Sequence, residues 1–183
     1  MNLEEMRLDT ARKQKKGLPF ILASIIIWGA IFGVSLTSLP ILTKNLLTFC
    51  ITAPLMPLAY MISRLIKVDF TNKANPLTNL GLLFSLNQLL YLLIAMWIYP
   101  TVPEKLVMVL AMIFGAHLLP YSWLYKSKSY KILAVIIPIT ALILGITFQP
   151  YVVAGTMVLF EILFSLLLIR EVKMLPATIK DSI

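Results

Sequence analysis

The stretch LPFILASIIIWGAIFGVSLT, residues 18–37, runs for twenty residues without a charge. It follows the basic opening MNLEEMRLDTARKQKKG, and together the two have the outline of a secretion signal. The apolar run is too long for the core of such a signal, and no A-x-A-like cleavage site follows it. At ~1.5 Å per residue it crosses the ~30 Å hydrocarbon core of a bilayer. It is therefore read as a retained helix, the first of a series.

Five further apolar runs follow, at 46–65, 77–99, 106–125, 131–148 and 151–169. Each is long enough to span as a helix, the fifth only just. Isolated strands would leave their backbone polar groups unpaired in lipid. Composition agrees, because 60% of the 183 residues are hydrophobic, 13% are charged and the mean hydropathy is +0.91. A soluble domain of this size needs more charge to cover its surface. The expected fold is an all-α integral membrane protein of six transmembrane helices. A basic tail (1–17) would precede a bundle (18–169), and a second tail (170–183) would follow it.

The basic residues fix an orientation. Arg7, Arg12, Lys13, Lys15 and Lys16 precede the first span, and Arg64, Lys67 and Lys73 lie in or beside the second connection. Lys126, Lys128 and Lys131 flank the fourth connection, and Arg170, Lys173 and Lys180 follow the last span. Only Lys44 and Lys105 belong to the alternate connections. A split of fourteen to two obeys the positive-inside rule with both termini cytoplasmic, in the cell membrane. An odd number of spans would have scrambled it. The net charge of +8 is thereby explained without nucleic acid. Tyr60, Tyr99, Tyr121, Tyr125, Tyr130 and Tyr151 lie near span ends, as an interfacial aromatic belt would. Tyr91 and Trp28 are the exceptions.

Depth along each span singles out four polar residues. Glu161 is ten residues from Tyr151, His117 eleven from Leu106, Gln88 eleven from Tyr99 and Asn87 twelve. These counts put all four roughly 15–18 Å deep, near the midplane. Ala154, Met157, Glu161 and Ser165 share one helical face, as do Gly81, Ser85, Gln88 and Ala95, so both stripes should face protein. Pro57, Pro120 and Pro138, with Pro54, would free carbonyls and kink helices near this layer. Gly29-x-x-x-Gly33 offers a packing face on the first span.

An ionisable side chain at this depth is a candidate functional site by default. Glu161 and His117 are expected to hold or pass a proton, or to bind a cationic group, with Gln88 and Asn87 beside them. The alternative is structural: Asn87 and Gln88 as interhelical hydrogen bonds, and Glu161 bonded to His117 or Gln88. There is no HExxH, GxSxG, Walker A or GxGxxG pattern, and one His with one Glu cannot close a metal site. No cofactor is implied, and the balance leans away from an enzyme; a Ser–His pair using Ser85 or Ser165 is the residual option. Cys50 stands alone, so it forms no internal disulfide.

At GAHLLPYSWLY (115–125) and RKQKKGLPFILASIIIW (12–28) the chain resembles an uncharacterised family of small bacterial multi-pass membrane proteins. The resemblance covers nearly the whole length and implies a bacterial inner membrane but no activity. In architecture the chain is also similar to the substrate-binding subunits of energy-coupling-factor vitamin transporters. Those meet their partner through an A-x-x-x-A face on the first helix, where this chain has Gly29-x-x-x-Gly33. The leading expectation is a small-solute binding protein or transporter, proton-linked through the polar layer. The alternative is a non-transporting membrane partner or assembly protein whose layer is structural. Expected partners are the lipid bilayer, anionic headgroups at the basic tail and a small-molecule ligand, with a homo-oligomer or a second membrane protein for the alternative.

Overall fold

The computed structural model describes residues 2–68 and 75–175, and all regular structure among them is helical. In chain order the helices are α1 Leu3–Lys13, α2 Leu18–Ser35, α3 Ile41–Thr52, α4 Leu55–Leu65, α5 Leu77–Thr101, α6 Leu106–Leu124, α7 Lys128–Thr147 and α8 Pro150–Lys173. Six stretches are long and apolar enough to cross a membrane, with α3 and α4 together making the second. Lys73 and Lys180 lie outside the described residues.

Two elements depart from expectation. Residues 3–13, assigned to a tail, form a helix. Asn2 accepts from the Glu5 amide at 2.8 Å while Glu5 accepts from the Asn2 amide at 2.9 Å, a reciprocal cap that satisfies two N-terminal donors. The second departure is the break in span two, which falls at Ala53-Pro54. Pro54 has no N–H and its ring meets the carbonyl four residues back, so α3 ends before it. Pro57, expected to kink this span, instead sits in the first turn of α4, where a missing N–H leaves nothing unpaired. Pro120 and Pro138 lie inside α6 and α7, which continue as helices through both.

The connections alternate cleanly. The α6–α7 turn, the last residue after α4, the start of α5, the end of α8 and all of α1 meet at one end, here the basic end. Arg7 reaches Trp123, Lys15 reaches Ile66, Asn75 reaches Met6 and Lys16 reaches Glu171. Asn45 bonds Pro103 and Lys105 bonds Gly145 at the other end.

α6 and α7 are the most intimate pair, and two glycines explain why. A Cβ on Gly115 would lie 2.5 Å from Pro138 Cδ, and one on Gly145 would lie 2.3 Å from Met108 Cγ. Small residues let helix backbones approach where no hydrophobic effect drives them together. Gly29 and Gly33 were expected to do this, but a Cβ on either meets nothing within 4 Å. They face away from the bundle because Ile27, Trp28 and Ile31 turn the other side of α2 inward. α2 pairs with α8, α4 packs chiefly on α2, and α5 packs chiefly on α6. α5 is peripheral, with Leu83, Leu90, Leu93 and Trp97 all exposed.

Candidate functional site

Glu161 lies in the seam between α2 and α8 and is wholly buried. The α8 face expected from the sequence is the face that packs: Ala154, Met157, Glu161 and Ser165 are each at most 4% exposed. The helices run antiparallel, with Ser24 opposite Glu161 and Phe32 against Gly155. That register sets Trp28 and Ile31 of α2 opposite Met157 and Ala154 of α8.

The hydrogen bonding of Glu161 is incomplete. The Ser24 hydroxyl and Glu161 Oε2 are in very short contact, and Oε1 has no partner among the described residues. The same hydroxyl lies 2.7 Å from the Ile21 carbonyl. A hydroxyl carries one proton. As two full bonds they need a second proton, brought by the carboxyl, in a relay from Glu161 through Ser24 to Ile21; an ionised carboxyl would share the one hydroxyl proton with the Ile21 carbonyl or take it outright. In the latter case Ser24 turns its proton to Glu161 and releases Ile21, whose carbonyl keeps its helical partner. The site thus accommodates both protonation states with one hydroxyl rotation.

The other three residues of the expected layer are dispersed. His117 of α6 is half-buried between the rings of Phe114 and Tyr121, at 5.2 and 5.9 Å. Its Nδ1 sits 2.5 Å from the Phe114 carbonyl. A carbonyl only accepts, so Nδ1 carries the proton and Nε2 is left as an acceptor. Ser85 and Phe84 of α5 meet Tyr121 of α6, and a Gly81 Cβ would touch Leu124. This antiparallel register brings Gln88, half-buried, level with His117. Asn87, about a quarter-turn round α5, is exposed, and its amide donates to Tyr91 at 2.9 Å. The Glu161–His117 and Glu161–Gln88 bonds weighed from the sequence are therefore replaced by Glu161–Ser24. Nor does a Ser–His pair form: Ser85 bonds Tyr121 and Ser165 bonds the Glu161 carbonyl.

A polar cluster at the basic end went unrecognised in the sequence. Tyr125 donates to Gln14 at 2.7 Å and Tyr130 to the Lys16 carbonyl at 2.9 Å, both rings buried. Lys16, 4% exposed, meets Glu171 through its ammonium at 2.7 Å, and Glu171 also accepts from Ser129 at 2.6 Å. The tyrosines read as a belt therefore divide. Tyr60 and Tyr151 do face outward, whereas Tyr121, Tyr125 and Tyr130 stack together within 6 Å. The spacing of four residues through His117, Tyr121 and Tyr125 was the available clue, since it places all three on one helix face.

The chain can reach this cluster because it reverses sharply between α1 and α2. Lys15, Lys16 and Gly17 take φ of 44°, 52° and 72°, a left-handed run that only Gly adopts freely. A Cβ on Gly17 would also lie 2.9 Å from the Tyr130 hydroxyl. Three basic side chains then serve helix C-termini, where unpaired carbonyls favour cations. Lys15 caps α4 through Ile66 at 2.6 Å, Arg7 caps α6 through Trp123 at 2.9 Å, and Lys16 reaches the Lys126 carbonyl at 3.5 Å. On α1, bonds from Lys126 and then Arg7 hold Glu4 below the usual carboxylate range. For Asp9, burial pushes upward but Lys13 and Asn75 outweigh it and hold it low.

The chain belongs to the family of unknown function DUF7010, whose model matches residues 3–171. This is the kind of family that GAHLLPYSWLY and the RKQKK opening implied. No curated protein and no solved structure matches it.

Proposed function

We propose that the chain is a multi-pass membrane protein, with both ends cytoplasmic, that binds a small solute and couples it to a proton held at Glu161. The observation that carries this is the wholly buried carboxyl with one partner, Ser24, and one oxygen without any among the described residues. Such a group costs about 2.5–3.5 kcal/mol at a helix centre even on mild scales. A fold under no functional demand would fill the place with leucine. The relay through Ser24 lets the acid gain or lose its proton without rebuilding the seam. His117 Nε2 and the Gln88 amide offer an acceptor and an amide in the α5–α6 groove, and there they contact solute. The basic residues that α1 leaves outward, with Lys128 and Lys131, meet anionic headgroups of a bacterial inner membrane.

A second reading, a non-transporting membrane partner or assembly protein, is favoured by two outward features. A Cβ on Gly29 or Gly33 would meet nothing within 4 Å among the described residues, and Asn87 presents an amide on the exposed side of α5. Purified protein in mild detergent separates the two. Proton uptake or release on solute addition, abolished in Glu161→Gln, supports the first. A stoichiometric complex with a second membrane protein, broken by Gly33→Leu and indifferent to Glu161→Gln, supports the second and removes the first.

A further inference from the structure

The outward face of α5 carries a repeat that its packing on α6 does not explain. Leu83, Asn87, Leu90, Ile94 and Trp97 follow one another at steps of four, three, four and three. At about 100° per residue they form a stripe about 80° wide. All five are exposed, Leu83 at 58%, Leu90 at 64%, Ile94 at 51% and Trp97 at 63%. The stripe is turned away from Gly81 and Ala95, the two buried positions of this helix. Such a repeat is the seam of a left-handed helix pair, with Asn87 and Ile94 at a positions and Leu83, Leu90 and Trp97 at d positions. Ile at a with Leu at d favours two strands.

Lipid would satisfy an apolar stripe, but it does not satisfy Asn87. This residue stands near the middle of α5, where hydrocarbon offers no hydrogen bonds. Its amide gives one N–H to the Tyr91 hydroxyl and makes no other hydrogen bond among the described residues. A second N–H and the carbonyl oxygen are left over, a donor and an acceptor on one planar group. Such a group is its own complement, since two of them across a two-fold axis exchange N–H···O bonds in both directions. Copies inserted alike run their α5 helices parallel, and in a parallel pair a positions meet at the same level. A different protein would need a matching polar group at the same depth, whereas a second copy carries one by construction.

We infer that α5 pairs with α5 of a second copy of this chain, Asn87 of one against Asn87 of the other, in a two-fold dimer within the membrane. A single polar residue at an a position fixes both register and strand number. A slip of one turn would leave both amides in hydrocarbon without partners. Pairing there leaves the Ser85–Tyr121 contact with α6 and the Glu161–Ser24 seam untouched, so it stands or falls apart from the proton reading.

Disulfide cross-linking of the full chain in native membranes reads the seam directly. In a Cys50→Ser background, which removes the one native thiol, Leu83→Cys, Leu90→Cys and Ile94→Cys should each link under mild oxidant into a species of twice the chain's mass. Leu89→Cys and Met96→Cys, at residues 58% and 61% exposed but about a third of a turn or more round the helix, should not. Adding Asn87→Leu to Leu90→Cys should weaken pairing about tenfold, read from the linked fraction as expression is lowered. Asn87→Gln, which keeps an amide, should weaken it less. No links at the seam positions, equal links at all five, links only to a different protein, or a linked fraction indifferent to Asn87→Leu overturns the inference.

Discussion

Lys16 and Glu161 are both charged residue types almost wholly withdrawn from solvent, yet their surroundings differ. Lys16 has a carboxylate at 2.7 Å, and that carboxylate is itself bonded to Ser129. Glu161 has one hydroxyl and an oxygen without a partner among the described residues. The basic end closes its polar network and uses it to hold α1, α7 and α8 together. The seam leaves its network open. A closed network is built to be kept, and an open one leaves a group free to exchange a proton.

Breaking the closed network should have the largest effect. Lys16→Met leaves Glu171 without its cation at a site only 15% exposed. Removing one partner of a buried pair costs about 3–5 kcal/mol, and partial exposure puts this case at the lower end. Denaturant unfolding in mixed micelles would read it, and a loss under ~1 kcal/mol would show that the network is ornamental. Next comes the α6–α7 contact. Gly115→Ala pushes a methyl against Pro138, and overpacking of this kind costs about 1–3 kcal/mol. Gly33→Ala should stay within about 0.5 kcal/mol in the monomer, since nothing lies within 4 Å. Reversal of that order would place the close packing on the wrong pair.

Ser24→Ala sharpens the comparison from the other side. It strips Glu161 of its one partner and should cost about 1–3 kcal/mol. In a Glu161→Leu background the same change should cost little, so the two form a coupled pair in a double-mutant cycle. Acid should have the smallest effect. Glu4 and Asp9 are held below their ordinary values of 4.5 and 3.8, so their contribution is complete above that range and fades as pH falls through the lowered values. Protection of the α1 amides, relative to their intrinsic exchange rate at each pH, should therefore fall at acid pH before that of α6 or α7 does, and Glu4→Gln should blunt the response.

Helix number, even alternation and the inward faces of α5 and α8 were legible because each is a periodic property of one segment. Asn87 shows where depth alone fails. It shares a level with Gln88 but points about 100° away around the helix, and only packing decides which side faces protein. Gly29-x-x-x-Gly33 misled for the same reason, since the motif states that a close approach is allowed and says nothing of whether one occurs. Gly115 and Gly145 carry the contact without forming a motif, being on different helices. The partnership of Ser24 with Glu161 spans 137 residues and follows from the α2–α8 register, which no local pattern encodes. The N-terminal reversal was hidden because lysine rarely adopts a left-handed backbone, and here it is held by the Tyr130 hydroxyl and the caps that Lys15 and Lys16 make.

The most direct test of the central claim is the unfolding free energy of Glu161→Gln and Glu161→Leu beside wild type in the same micelles. If the carboxyl is retained for exchange and at a cost to the fold, Glu161→Leu should be neutral or more stable by up to about 2 kcal/mol, with Glu161→Gln close to wild type. A loss of about 2 kcal/mol or more in both, comparable with Lys16→Met, would make Glu161 a structural bond to Ser24 and end the case for a proton site in the α2–α8 seam.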